Sequence, residues 1–270
     1  MKKIFILFLP FLLSACSENI FDEIADKDTE EAIYFEARQE INKRNYGTAI
    51  GLFEQLSAEF LADRDRIPIH ASAYTGRCGL EFLTLLNNLQ NAGSATIFGT
   101  LMVGFPGADA QAVADCIQAE TIVEAIGDET ARSGDENLFM AFSAFAKIGT
   151  ILSSLADTDD DGTADAGFDQ CNVTNLPETM VRELGASLAV ALLSLTAVGT
   201  SYVDDSLADV NALCGLDANL AVFCNTTDPN AFTGVQVQAM RYAIGSNDVG
   251  INSCGNRDFT NCAAANPACP

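Results

Sequence analysis

The chain has no tryptophan and a single histidine, His70, among its 270 residues. A lone imidazole leaves no obvious nucleophile–base pair and almost no nitrogen ligands for a transition metal. No H-E-x-x-H, G-x-S-x-G, P-loop or strand-following G-x-G-x-x-G run occurs. Basic residues are scarce too: 14 Lys and Arg stand against 37 Asp and Glu, a formal net charge of −23. Such a chain does not bind nucleic acid or an anionic lipid surface by charge. Carboxylate pairs abound, but at this acid content chance supplies them. No enzymatic reaction is expected. C-x-x-C is also missing, which with one histidine argues against zinc. His70 stands in Ile67-Pro68-Ile69-His70, at the entry to a helix, where a surface or capping role is expected.

Nearly half of the residues are apolar, 49%, so composition alone does not make the chain disordered. Its first sixteen residues have their own order. Lys2 and Lys3 precede an apolar run over residues 4–12, and Leu13-Ser14-Ala15-Cys16 follows. The run is too short to span a bilayer. The three parts together resemble a bacterial lipoprotein signal peptide (residues 1–15), cut before Cys16. The resemblance implies acylation of Cys16, palmitate included, and so a lipid-anchored protein outside the cytoplasm. Ser17 after the lipidated cysteine implies outer-membrane sorting, with the protein on the periplasmic face. Removing the leader leaves 12 basic and 37 acidic residues, a net charge of −25. Lipid rather than a basic patch then provides the membrane contact.

Cys78, Cys116, Cys171, Cys214, Cys224, Cys254, Cys262 and Cys269 remain. An even count in an oxidising compartment predicts four disulfides. Eight cysteines allow about a hundred pairings, so the connectivity stays open.

The densest cluster of charge is the loop 157–171. Asp157, Asp159 and Asp161 alternate, Gly162 follows, and Asp165 comes four residues after Asp161. Alternate carboxylates on a tightly turned backbone can converge on one hard cation, glycine permits the sharp turn, and Thr163 is placed to lend a carbonyl. Six carboxylates within thirteen residues repel one another without a cation. The run D-x-D-x-D-G-x-x-D resembles the start of an EF-hand loop, with Phe168 where that loop has a bidentate Glu and Asp169 one residue later. It is also similar to the calcium repeats of thrombospondin type 3. Both resemblances imply a structural Ca2+ held by Asp157, Asp159, Asp161, Thr163, Asp165 and Asp169.

Apolar segments flank this loop. Residues 138–155 carry one charge, Lys147, and residues 185–203 carry none. Their length suits membrane spans, but a helix covered on all sides by protein reads the same way. Small residues throughout favour close helix packing, and a pair of buried core helices within 134–203 is expected. Pro177-Glu178 marks the start of the second.

The rest of the chain reads as helices. After a tether at 16–28, Ile33, Tyr34, Ala37 and Ile41 share a helical face. Asn45-Tyr46-Gly47 interrupts it, and Ala49, Ile50, Phe53 and Leu56 resume. Ala37, Tyr46, Ala49 and Phe53, with the small-residue helix 71–79, resemble a tetratricopeptide helix pair and the start of the next repeat. A break, a short apolar segment and a loop are expected in turn over 92–107, a helix over 110–126, a cap at 134–136, a short helix over 204–213 and a helix starting at Asp228-Pro229. Beyond 245 the tail is polar and rich in cysteine, so disulfides must fasten it. The expected fold is all-α: antiparallel helical hairpins, tetratricopeptide-like over 29–91, packed on long apolar core helices within a domain 29–245, with a tail at 246–270. Two functions are compatible with it. One is a helical scaffold that binds another envelope protein or peptide. The other is solute handling, from a resemblance to T-component lipoproteins of tripartite transporters, which implies an apolar cavity between helices.

Overall fold

The computed structural model describes residues 28–91, 95–199, 214–215, 218–251 and 253. The leader, Cys16 and the helix expected at 204–213 lie outside these residues, as does nearly all of the tether and most of the tail. The described residues hold eleven α-helices and no strand. The fold is all-α, as expected.

Two helices form the centre. α8 (Gly134–Ala156) and α9 (Glu178–Val198) pack on one another more extensively than any other pair. Both are long and apolar enough to cross a membrane, yet most of each is buried inside the protein. Their apolar circumference is therefore matched by protein on most sides, and a satisfied helix of this kind needs no lipid. Ser133 starts α8 with a capping box: its hydroxyl accepts from the Glu136 amide, and the Glu136 carboxylate accepts from the Ser133 amide. The Arg64 guanidinium grips the same carboxylate at 3.0 and 2.7 Å and holds its pKa down at about 2. Pro177 starts α9, and Gly199 ends it in the left-handed conformation at φ 67°, where glycine carries no steric penalty.

Two shorter helices close on α8 from outside. α6 (Ile97–Val103) crosses it at Gly149, where a Cβ atom would lie 2.6 Å from the Leu101 carbonyl oxygen and 2.2 Å from the Phe105 ring. Glycine is what permits this approach. α7 (Ala110–Glu124) packs on α8 and on α4 (Ile67–Arg77). Cys78 and Cys116 form a disulfide between α4 and α7, and beside it Arg77 makes a two-pronged ion pair with buried Asp115, both bonds 2.7 Å.

The front of the chain makes its own small core. α1 (Glu30–Asn42) and α2 (Tyr46–Phe53) fold back on each other and rest on α4, with Ala37, Ala49, Ala73 and Phe53 buried between them. The turn is made by Arg44 at φ 63°. α2 ends after eight residues, and α3 (Ala58–Leu61) follows, capped by Ser57. His70 is not a surface group. It is half-buried on α4, its ring centroid 4.9 Å from Phe53 and 5.6 Å from Tyr74, and burial lowers its pKa.

One expectation on the path is sharpened and one needs correction. The short apolar segment is a helix over 97–103, which its glycine hides in the sequence: Thr96 accepts from the Gly99 amide, and four of the five apolar side chains there are buried. Near the end, Pro229–Ala231 is only a single 3₁₀ turn. α10 (Ala218–Ala221) precedes it, and the true helix α11 (Gly234–Gly245) begins after Thr233, which forms a capping box with Gln236. A complete cap outweighs the proline's preference for a first-turn position.

A carboxylate cluster at the joint of the central helices

Asp157 ends α8, and the acidic loop starts from it. Its carboxylate is 3% exposed and faces inward. Oδ1 accepts from the Asp161 amide at 3.0 Å, and Oδ2 accepts from the Gly162 amide at 3.1 Å. The loop therefore winds around its own first carboxylate. Gly162, at φ 83°, makes the reversal possible. Burial raises the Asp157 pKa, and the charges of Asp161 and Asp159 add to this. Anionic charge is uncomfortable here without a cation.

Asp159 and Asp165 join it. One carboxylate oxygen from each of Asp157, Asp159 and Asp165 lies within 4.8 Å of the others, and this cluster can hold a metal ion. That separation fits inside the oxygen shell of one calcium ion, about 5 Å across. Asp165 is held in place twice. Its amide donates to the Ala156 carbonyl at 2.7 Å, and its Oδ2 accepts from the Thr158 hydroxyl at 2.6 Å. All-oxygen, carboxylate-rich donors are the chemistry of a hard divalent cation and not of zinc or copper.

Two other carboxylates expected at the site, Asp161 and Asp169, are not part of this cluster. Asp161 turns back on Thr163, accepting from its amide at 2.8 Å and its hydroxyl at 2.7 Å, which lowers the Asp161 pKa. Asp169 accepts from the Cys171 amide at 2.9 Å, four residues beyond the cluster. Asp160, which the alternating pattern passed over, does fixed work. It sits at φ 58°, and its carboxylate accepts from the Gly107 amide at 2.6 Å, tying the loop to the turn between α6 and α7. A positive φ is tolerated by aspartate better than by most residues, but only the folded partner reveals the tether.

The loop leads on to Cys171, which is disulfide-bonded to a partner outside the described residues. Cys214 pairs with Cys224 across ten residues. Cys254, Cys262 and Cys269 lie outside the described residues. No family model, curated protein or solved structure matches this chain. Its own residues alone must therefore indicate its function.

A cleft of about 740 Å³ opens beside the loop, between Gly162–Phe168, the face of α6 and the chain leaving α11. Its walls are mixed. Asn88, Asn91 and Asn247 supply amides, Val103 and Phe168 supply apolar surface, and the buried Thr100 hydroxyl on its wall has no hydrogen-bond partner. Deeper in the body, Lys147 of α8 is 4% exposed and lies between Glu120 of α7 and Glu183 of α9. Its Nζ donates to Glu183 Oε2 at 2.8 Å and is paired still more closely with Glu120. Burial disfavours its charge, but the two carboxylates outweigh that and hold its pKa above the ordinary lysine value.

Proposed function

We propose that this is a non-enzymatic helical scaffold, anchored by acyl chains on Cys16 to the periplasmic face of an outer membrane, and stabilised by a structural Ca2+ and by disulfides. One observation carries the reading: the metal-capable carboxylates Asp157, Asp159 and Asp165 sit at the joint of the two central helices. An ion bound there acts on the rigidity of the whole body. In that place it has structural work and needs no substrate beside it. The front hairpin supplies the contact with an envelope protein or peptide; α1 leaves Phe35 60% exposed beside the small front core. The solute-handling alternative draws its support from the cleft of about 740 Å³ beside the loop.

The calcium reading predicts a melting shift. At a free Ca2+ concentration about a hundredfold above Kd, a site present only in the folded state adds about 2.7 kcal/mol. In a domain of this size that raises Tm by about 5–10 °C. Calorimetry with Ca2+ and then with EDTA measures the difference. Asp159→Asn and Asp165→Asn should each abolish it, whereas Asp161→Asn should leave most of it. An EDTA-insensitive melt in the wild type removes the calcium claim.

The scaffold reading is tested in intact envelopes. A photo-crosslinking amino acid in place of Phe35 should yield one discrete adduct with an envelope protein, and Cys16→Ser should abolish both the adduct and palmitate labelling. A labelled, membrane-bound chain with no adduct at Phe35, and with solute bound in the cleft instead, reverses the order of the two readings.

A further inference from the structure

A second cleft, of about 410 Å³, runs along the first two turns of α11. Gly234, Val237, Gln238 and Arg241 recur along it at helical spacing, and Val173 faces them from the segment that enters α9. The rim is apolar and open: Val173 is 56% and Val235 61% exposed.

Its floor is charged. Arg241 is 1% exposed, and a helical side chain of that length leans back toward the helix start. Nη1 donates to the carbonyls of Gln170 at 2.6 Å and Leu176 at 2.8 Å, which fixes the end of the acidic loop. One donor of the guanidinium is left over. Nε is buried without a hydrogen-bond partner, and among the described residues no carboxylate stands at ion-pair distance. The nearby acids are already engaged. Glu178, on the cleft wall, gives its Oε1 to Arg182 at 2.9 and 2.6 Å, and Asp169 accepts from the Cys171 amide. Burial lowers the Arg241 pKa although the charges of Glu178 and Asp169 favour its charged form, and a buried donor without an acceptor is costly.

The helix start adds to the same field. The Thr233 capping box takes the amides of Gln236 and Thr233. Those of Gly234 and Val235 belong to the first turn and have no intrahelical acceptor. With the helix dipole they favour a negative group at this end.

We propose that this cleft binds an organic carboxylate with a small branched apolar body, its oxygens between the Arg241 guanidinium and the first-turn amides of α11, its body against Val173, Val235 and Val237. The proposal depends on neither the metal nor the lipid anchor. Two sources share this chemistry: a free short acid, and the C-terminal residue of a peptide.

Calorimetric titration of the full chain separates them, at about 0.15 M salt so that the protein's net charge is screened. The probes are N-acetylvaline, its amide, and an octapeptide ending in valine with a free carboxylate. N-acetylvaline should bind saturably and the amide at least about tenfold more weakly, the loss expected for a charge-assisted contact. Comparable affinities for N-acetylvaline and the peptide identify a free acid as the ligand, and a peptide about tenfold tighter or more identifies a chain end. Val235→Asp is the decisive variant. An acid in the first turn supports the helix while repelling a carboxylate, so binding should vanish with an unchanged melt. Arg241→Gln should lose binding as well; should it fail to fold, Val235→Asp still decides. Acid and amide binding alike, Val235→Asp binding as the wild type does, or no heat from either carboxylate probe overturns the proposal.

Discussion

Lys147→Met should cost about 3–5 kcal/mol, the usual consequence of leaving buried charge without its partner. It should lower Tm by on the order of 10 °C. Methionine nearly matches lysine in volume, so the loss is electrostatic and not a cavity. Glu120, 3% exposed, and Glu183 would then face each other across an apolar gap. One control defines the origin. Lys147→Met with Glu120→Gln and Glu183→Gln should recover most of the deficit, since a neutral set of the same shape is often no worse than the ion triad. The wild type has a pH dependence of its own. The Lys147 pKa is raised in the folded state, so its contribution is fully present at neutral pH. It is lost only as pH rises past the ordinary lysine range and through the folded value. A Lys147→Met protein that melts within a degree of the wild type at pH 7 would show that the triad contributes no net stability.

The second large effect concerns the cross-link between α4 and α7. Cys78 and Cys116 enclose 38 residues of chain, and the loss of unfolded-state entropy from a loop of that size is worth about 4 kcal/mol. Cys78→Ala/Cys116→Ala should shift the urea midpoint accordingly while the fold persists, because Arg77 and Asp115 still hold the same two helices in register. The Cys214–Cys224 bridge encloses only ten residues, and its removal should cost about 2.7 kcal/mol on the same scale. The ordering of the two is the test. Equal losses, or a larger one for the short loop, would mean that local geometry and not loop length sets their value.

What could be read from the sequence divides along physical lines. The central pair was legible because α8 and α9 are apolar on every side, and such a pattern has few outlets. The metal-capable cluster was legible in part. Asp157, Asp159 and the turn at Gly162 follow from local geometry, so alternation along the chain reports them. Asp161 was not separable from them, because its preference for Thr163 over the shared centre is decided by one local turn. Asp160 gives no signal at all: its partner, Gly107, is 53 residues away in sequence. Pairing of Cys78 with Cys116 is long-range in the same way, and no spacing rule reports it. α6 was legible only as a short apolar segment, because its glycine hides a helix that the Thr96 cap and its burial complete. Nothing in the sequence marks Arg241. Its burial depends on the segment 170–176 folding over it, which no local pattern encodes.

Position 149 also bears on how this chain can diverge. Where only a side chain stands in the way, a small residue can exchange for another if that neighbour shifts. At 149 the obstacle is a carbonyl oxygen of the crossing helix, and main chain does not yield in that way. Drift through alanine or serine is closed unless 97–105 moves first. The crossing of α6 over α8 should therefore survive in descendants whose surfaces have changed beyond recognition.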